Sequence, residues 1–286
     1  MEWIAYSFLT AIFESLKDVL GKKSLEKCNE YIVAWSLRIF AFPFILPLLV
    51  FTKEMELGSR FWPALLAGGT LNIVTTILYM KAIKTSDLSV TVPMVTFTPL
   101  FLLLTSPFIV GEVPSLKGVF GILLIVTGSY LLHLKEKKKG LLAPFKAIVK
   151  EKGPRLMLAV AFIWSITSNI DKVGIQNSSI VHWAIAMHIF SIFAMMPVVW
   201  VTSRSSMSQV WKQQKVLFPM GFVNALKYIF QMAAIQLTLV AYVISIKRTS
   251  AILSVVLGFL IFKEKGFRDR LTGSVIMILG VLLITL

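Results

Sequence analysis

The sequence predicts an all-α integral membrane protein, with ten transmembrane helices arranged as two five-helix repeats of inverted topology. Three observations lead there. Hydrophobic residues make up 57% of the 286-residue chain against 15% charged, and the mean hydropathy of +0.81 lies well outside the soluble range. The apolar residues form continuous runs rather than alternating, which favours helices over a β-barrel. The second half of the chain also repeats the first.

Crossing a ~30 Å hydrocarbon core takes roughly 20 residues of helix. Segments of that kind run over 3–21, 31–51, 61–82, 87–110, 116–134, 155–174, 180–202, 216–236, 238–262 and 270–286. The opening MEWIAYSFLT lacks the basic start of a cleavable signal, so the first segment is expected to stay in place. Segment 4 carries Pro93, Pro99 and Pro107, which a membrane helix tolerates and which give it places to bend. Segment 9 holds Lys247 and Arg248 side by side. Ending a helix there would leave TSAILSVVLGFLIF, too short to span, so one helix over 238–262 is expected.

The charges set the orientation. Of 29 Lys and Arg residues, twenty fall in the loops after segments 1, 3, 5, 7 and 9, and only Lys53, Arg60, Lys117 and Lys172 lie on the other side. Basic loops stay cytoplasmic, so both termini are expected outside the cytoplasm, in a plasma or bacterial inner membrane. Sorted this way, the net charge of +15 marks topology rather than a nucleic-acid partner. The run KEKKKG and the amphipathic LLAPFKAIVKEKG form a basic connector over 135–153, between halves 1–134 and 154–286, suited to lie against anionic lipid headgroups. A lone Cys28 excludes an intrachain disulfide and a Cys-based zinc cluster, and His133, His182 and His188 are too scattered for a metal or catalytic constellation. No cofactor, metal or catalytic residue is expected, and no G-x-x-x-x-G-K-[ST] loop is present to hold ATP.

A shift of 150 residues superposes Ala11 on Ala161, Ser15 on Ser165, Arg38-Ile39-Phe40 on His188-Ile189-Phe190 and Pro47 on Pro197. After a two-residue insertion, a shift of 152 superposes Gly69 on Gly221, Asn72 on Asn224, Met80 on Met232, Glu112 on Glu264, Gly121 on Gly273 and Gly128 on Gly280. Each copy holds five segments, an odd number, so the second copy enters the membrane from the opposite face.

The close of each half, TVPMVTFTPLFLLLTSPFIVGEVPSLKGVFGILLIVTGSYLL and SIKRTSAILSVVLGFLIFKEKGFRDRLTGSVIMILGVLLI, resembles the fourth and fifth helices of the EamA-type drug/metabolite transporter superfamily. Glu112 and Glu264 and the glycines of segments 5 and 10 carry the resemblance, which covers nearly the whole chain twice over. It implies a ten-helix transporter whose central cavity is lined by helices 1–4 and 6–9, with helices 5 and 10 peripheral, and it leans towards export. It implies no particular substrate, because one fold hosts many. The Lys247-Arg248 pair is also similar to the lysine-arginine of the ninth helix in plastid phosphate translocators.

Ionisable side chains at membrane depth cost roughly 2.5–3.5 kcal/mol each on insertion scales, so each is a functional candidate. Five cations (Lys17, Arg38, Lys227, Lys247, Arg248) face two anions, Glu14 and Asp18, while Asp171 and Lys172 are expected to cancel each other. That surplus points to an anionic substrate, a carboxylate or phosphate, held by Lys247, Arg248, Lys227 and Arg38. Asn72, Asn224, Tyr79 and Gln231, on the polar stripes of segments 3 and 8, would add neutral hydrogen bonds. Glu14, Lys17 and Asp18 share one helix face, and Glu14 and Asp18 are the candidates for proton coupling. The expected function is secondary transport of a small polar metabolite by alternating access. Efflux of neutral amino acids or amphipathic compounds, with the cations tied up structurally, is the alternative, and a lipid-handling protein a distant one. The sequence does not decide between monomer and homodimer.

Overall fold

A computed structural model describes residues 1–52, 56–86, 91–133, 146, 150–262 and 267–286, and no strand occurs among them. The first half holds α1 (Glu2–Leu25), α2 (Glu30–Ile45, running on as a 3-10 turn over Leu46–Phe51), α3 (Phe61–Thr85), a 3-10 helix Val92–Phe97 leading into α4 (Thr98–Ile109), and α5 (Leu116–His133). The second half holds α6 (Lys152–Gln176), α7 (Ile180–Ser203), α8 (Gln214–Leu237), α9 (Val240–Lys247), α10 (Ser250–Phe262) and α11 (Phe267–Thr285). Of the basic connector, Lys135, Lys137, Lys138 and Lys139 lie outside the described residues, as do Lys53, Lys263, Glu264 and Lys265.

Seven stretches are long and apolar enough to cross a membrane by length and composition: Glu30–Phe51, Phe61–Thr85, Val92–Ile109, Lys152–Gln176, Ile180–Ser206, Gln214–Leu237 and Val240–Leu257. Of the other expected spans, α1 has the length but keeps Glu14, Lys17 and Asp18 within any eighteen-residue stretch. The apolar parts of α5 and α11, Leu116–Leu132 and Thr272–Thr285, fall short of that length.

Helix starts follow local chemistry. Asn29 caps α2 by accepting the Tyr31 N–H at 2.9 Å, and Ser179 caps α7 by accepting the His182 N–H at 3.2 Å. These caps are 150 residues apart, the register of the repeat. Segment 4 does not begin as an α-helix: Pro93 opens the 3-10 turn and Pro99 opens α4, each near a helix start where a missing N–H leaves nothing unsatisfied. Segment 9 differs from the expected single helix. It is interrupted after Lys247, where Arg248 and Thr249 donate to the carbonyls of Ser245 and Ile246, three residues back, at 3.0 and 2.9 Å. A shift of 152 maps the 3-10 turn Val92–Phe97 onto Ile244–Thr249, so both segments tighten at equivalent places.

The packing has the same pairwise exchange. Helix α1 lies against α8 as α3 lies against α6; α2 meets α8 as α3 meets α7; α1 meets α9 and α10 as α6 meets α4 and the 3-10 turn before it. A Cβ on Gly69 would stand 2.3 Å from the ring of Phe190, and one on Gly221 would stand 2.4 Å from Cβ of Phe40. Those two contacts exchange residues of the two halves in the repeat register.

Helices α5 and α11 pack mainly on each other, with Phe120, Leu123, Ile278 and Leu282 on their exposed outer faces. Gly121 meets Gly280 and Gly128 meets Gly273, so the two helices run antiparallel with backbones in contact. A Cβ on Gly128 would sit 2.5 Å from the Gly273 carbonyl oxygen, and one on Gly280 would sit 2.6 Å from that of Gly121. Gly128→Val is therefore expected to force the helices apart, at about 1–3 kcal/mol, the usual cost of overpacking. Gly21→Ala, with nothing within 4 Å of the added carbon, is expected to leave stability unchanged or raise it. Thermal midpoints in detergent would compare the two, and equal midpoints would refute the close crossing.

Candidate functional site

Helix α1 is long and carries Glu14, Lys17 and Asp18 on one face, with Glu14 and Lys17 turned inward. Glu14 accepts from Lys17 at 2.8 Å through Oε1, one turn along the same helix. Its other oxygen, Oε2, is buried, makes no hydrogen bond among the described residues, and lies 3.7 Å from both Lys227 Nζ of α8 and Lys247 Nζ of α9. One carboxylate thus collects three ammonium groups from three helices. Lys17 also reaches Asp18 at 3.2 Å, whose side chain is 49% exposed.

Lys247 and Arg248 are adjacent across the interruption after α9, where an α-helical or 3-10 backbone sets neighbouring side chains roughly 100–120° apart, and the two go to different partners. Lys247 donates to Gln231 Oε1 at 2.9 Å as well as facing Glu14. Arg248 lies within electrostatic reach of Glu14, Asp18 and Tyr79, and its Nε is buried with no hydrogen-bond partner among the described residues. Tyr79 of α3 stacks on Trp164 of α6, ring centroids 5.9 Å apart, at the position the repeat makes equivalent to Glu14.

The remaining candidates form a second locus. Arg38 of α2 donates to the Ala34 carbonyl at 2.7 Å and to Thr76 Oγ1 of α3 at 3.1 Å. Its repeat counterpart His188 packs edge-on against Tyr228, the counterpart of Thr76, at 5.0 Å. Asn72 donates to the Gly68 carbonyl of its own helix at 2.9 Å, and Asn224 donates across to the Leu37 carbonyl of α2 at 3.5 Å. Lys17, Lys227 and Lys247 therefore come together around Glu14, with Asp18 on Lys17, Gln231 on Lys247, and Arg248 and Tyr79 beside them. Arg38 and Asn224 each reach a neighbouring helix, through the Thr76 hydroxyl and the Leu37 carbonyl, and Asn72 bonds within its own helix.

The expected cancellation of Asp171 by Lys172 is not what the side chains do. Neighbours on a helix diverge, and these go to different partners. Lys172 pairs with Glu112 from the loop after α4 and donates to the Thr238 carbonyl at 2.8 Å. The other Glu112 oxygen accepts the Val240 N–H at 2.8 Å, at the start of α9. Gly111, at φ +71°, turns the chain out of α4 just before it. Asp171 instead accepts from the Trp183 indole at 2.9 Å.

A neutral network ties the halves together nearby. Ser106 donates to Asn169 Oδ1 at 2.9 Å, Asn169 donates to Thr105 Oγ1 at 3.1 Å, and the Thr105 and Ser165 hydroxyls lie 3.2 Å apart. Short polar residues scattered in apolar runs are the only sequence signal for it.

Known proteins agree with this architecture. A solved structure titled "Crystal structure of protein" is 16% identical, covers 99% of this chain and 96% of its own, and superposes with a TM-score of 0.73, which establishes a shared fold. No curated relative matches the sequence. The EamA-like transporter family matches residues 1–134 and 152–286, two copies that together take in both halves. A multi-pass helical protein built of two such copies belongs to the EamA-like transporter family, whose members are membrane transporters of small molecules rather than enzymes.

Proposed function

We propose that the chain is a secondary transporter that moves a small anionic metabolite, bearing a carboxylate or phosphate, outward by alternating access of its two halves. In this reading the halves 1–134 and 154–286 are inverted repeats, ten segments cross the cell membrane, and both termini lie outside the cytoplasm. The exchanged packing and the antiparallel α5–α11 crossing of equivalent helices support the inversion.

One observation carries the substrate class: two ammonium groups, Lys227 and Lys247, stand 3.7 Å from a single Glu14 oxygen without hydrogen-bonding to it. They are neutralised at a distance and are free to close on a better-placed anion. Beside them Nε of Arg248, without a hydrogen-bond partner among the described residues, offers the planar donor geometry that carboxylates and phosphates take. Gln231, Tyr79 and the polar groups near Arg38, Asn72 and Asn224 supply neutral contacts along the path. Glu14 and Asp18, the sequence candidates for proton coupling, serve as counter-ions here, because a proton on Glu14 would leave Lys227 and Lys247 without a carboxylate and Lys17 with Asp18 alone.

Reconstitution in liposomes tests this with labelled sugar phosphates, acidic amino acids and nucleotide sugars, set against neutral amino acids and amphipathic cations. Counterflow of at least one anion is expected. Movement of only neutral amino acids or amphipathic compounds would transfer the cations to a structural role and sink the anionic reading.

A further inference from the structure

The cation site leaves one interior carboxyl unexplained. Asp171 is 8% exposed near the C-terminal end of α6, and among the described residues it has no ion-pair partner. Glu14, Asp18 and Glu112 each hold an ammonium group, whereas Asp171 holds the neutral indole N–H of Trp183. That indole is fully buried and seated on Gly174, where a Cβ would come within 2.3 Å of its ring, and it meets Phe61 of α3 edge-on at 5.8 Å. The donor is fixed in place, so the carboxyl beneath it is too.

The surroundings are mixed but contain no close cation. Helix α7 presents the indole; α8 presents Tyr228 and Lys227, and α9 presents Lys247, all acting at longer range. Helix α3 contributes Phe61 and Gly68 through the Trp183 ring, and α4 contributes the neutral Thr105 and Ser106, bound to Asn169. On α6 itself, Lys172 is turned away to Glu112.

We propose that Asp171 is a proton-binding site of the transport cycle, loaded together with the anionic substrate. The proposal rests on the anion-transport reading above. A proton arriving from water adds to Oδ2, since Oδ1 is occupied by the indole N–H, and no ion pair is broken. With Asp171 ionised, the interior cations Lys17, Arg38, Lys227, Lys247 and Arg248 face three anions, Glu14, Asp18 and Asp171. Protonation removes one of those anions. The field of Lys227 and Lys247 reaches Asp171, so the same lysines that would hold substrate register its charge. Proton and anion therefore favour each other's binding, and by linkage the effect is reciprocal.

The test uses Asp171→Asn, which keeps an oxygen for the indole while removing the titratable group. In liposomes, with glycerol 3-phosphate and glutamate as probes, the variant is expected to retain counterflow and to lose accumulation driven by a pH gradient, about tenfold or more. Infrared difference spectra of the purified full chain provide a readout that needs no substrate. A protonated-carboxyl band that titrates in the native protein is expected to vanish in Asp171→Asn and to persist in Glu14→Gln. Gradient-driven accumulation by Asp171→Asn, or survival of its band, would overturn the proposal while leaving the anion site standing. If neither probe moves in the native protein, the anion reading fails for them and the band alone decides whether Asp171 binds the proton. Should Asp171→Asn fold poorly, Trp183→Phe is expected to displace the pH midpoint of the band, and an unmoved midpoint counts against the assignment.

Discussion

Lys172→Met is expected to destabilise the protein by about 3–5 kcal/mol, the usual cost of removing one partner from a buried ion pair. Both side chains of the Glu112–Lys172 pair are only 10% exposed. Glu112 lies in the loop after α4, Lys172 belongs to α6, and Thr238 and Val240 mark the corner between α8 and α9. Without Lys172, a carboxylate stays behind in a poorly solvated corner, its other oxygen still bound to the Val240 N–H. The double variant Glu112→Gln with Lys172→Met is expected to recover most of the loss, because the stranded charge is gone and the amide oxygen can still accept from Val240. Unfolding in mixed micelles would measure all three proteins. A single variant as stable as the native chain would show that water reaches the pair and that it contributes little.

Lys247→Gln is expected to reduce anion transport roughly 10–100-fold, the equivalent of losing one charge-assisted hydrogen bond of about 1.5–3 kcal/mol. Folded yield should change far less, since Glu14 retains Lys17 at 2.8 Å and Lys227 at 3.7 Å. Lys227→Gln is expected to act in the same direction, and the two together should add less than their sum because both face one oxygen. The alternative of neutral or amphipathic cargo predicts the reverse pattern: poor folding and an unaltered substrate profile. Initial rates of anion uptake, set beside monodispersity on gel filtration, separate the two.

Much of this architecture was legible in the order of residues because the duplication is legible. The register that superposes Gly69 on Gly221 and Phe40 on Phe190 also fixes two contacts, Gly69 with Phe190 and Gly221 with Phe40, although nothing in either half says that these groups touch. The cluster around Glu14 was readable as a list of misplaced charges, since apolar surroundings make each one costly. Partner choice was not readable. Lys172 stands next to Asp171 in sequence yet pairs with Glu112, because α6 diverges its neighbours and the end of α4 arrives from the other half. Span length argues against ending a helix at Lys247, yet the helix is interrupted there: hydropathy averages over a span and does not register two residues that change their hydrogen-bond partners from four back to three.

That interruption divides one span into α9 and α10, and its counterpart at Val92–Phe97 is a 3-10 turn leading straight into α4. The pieces beyond them, α4 with 12 residues and α10 with 13, are stiff arms. At 1.5 Å of rise per residue each arm is about 19 Å long, so a swing of roughly 15° would carry its tip about 5 Å, close to one helical turn. Displacements of that size separate a sealed helix end from an open one. The leverage originates beside Arg248, so a ligand gripped there would sit at the pivot, where a small local adjustment produces the largest motion at the far surface.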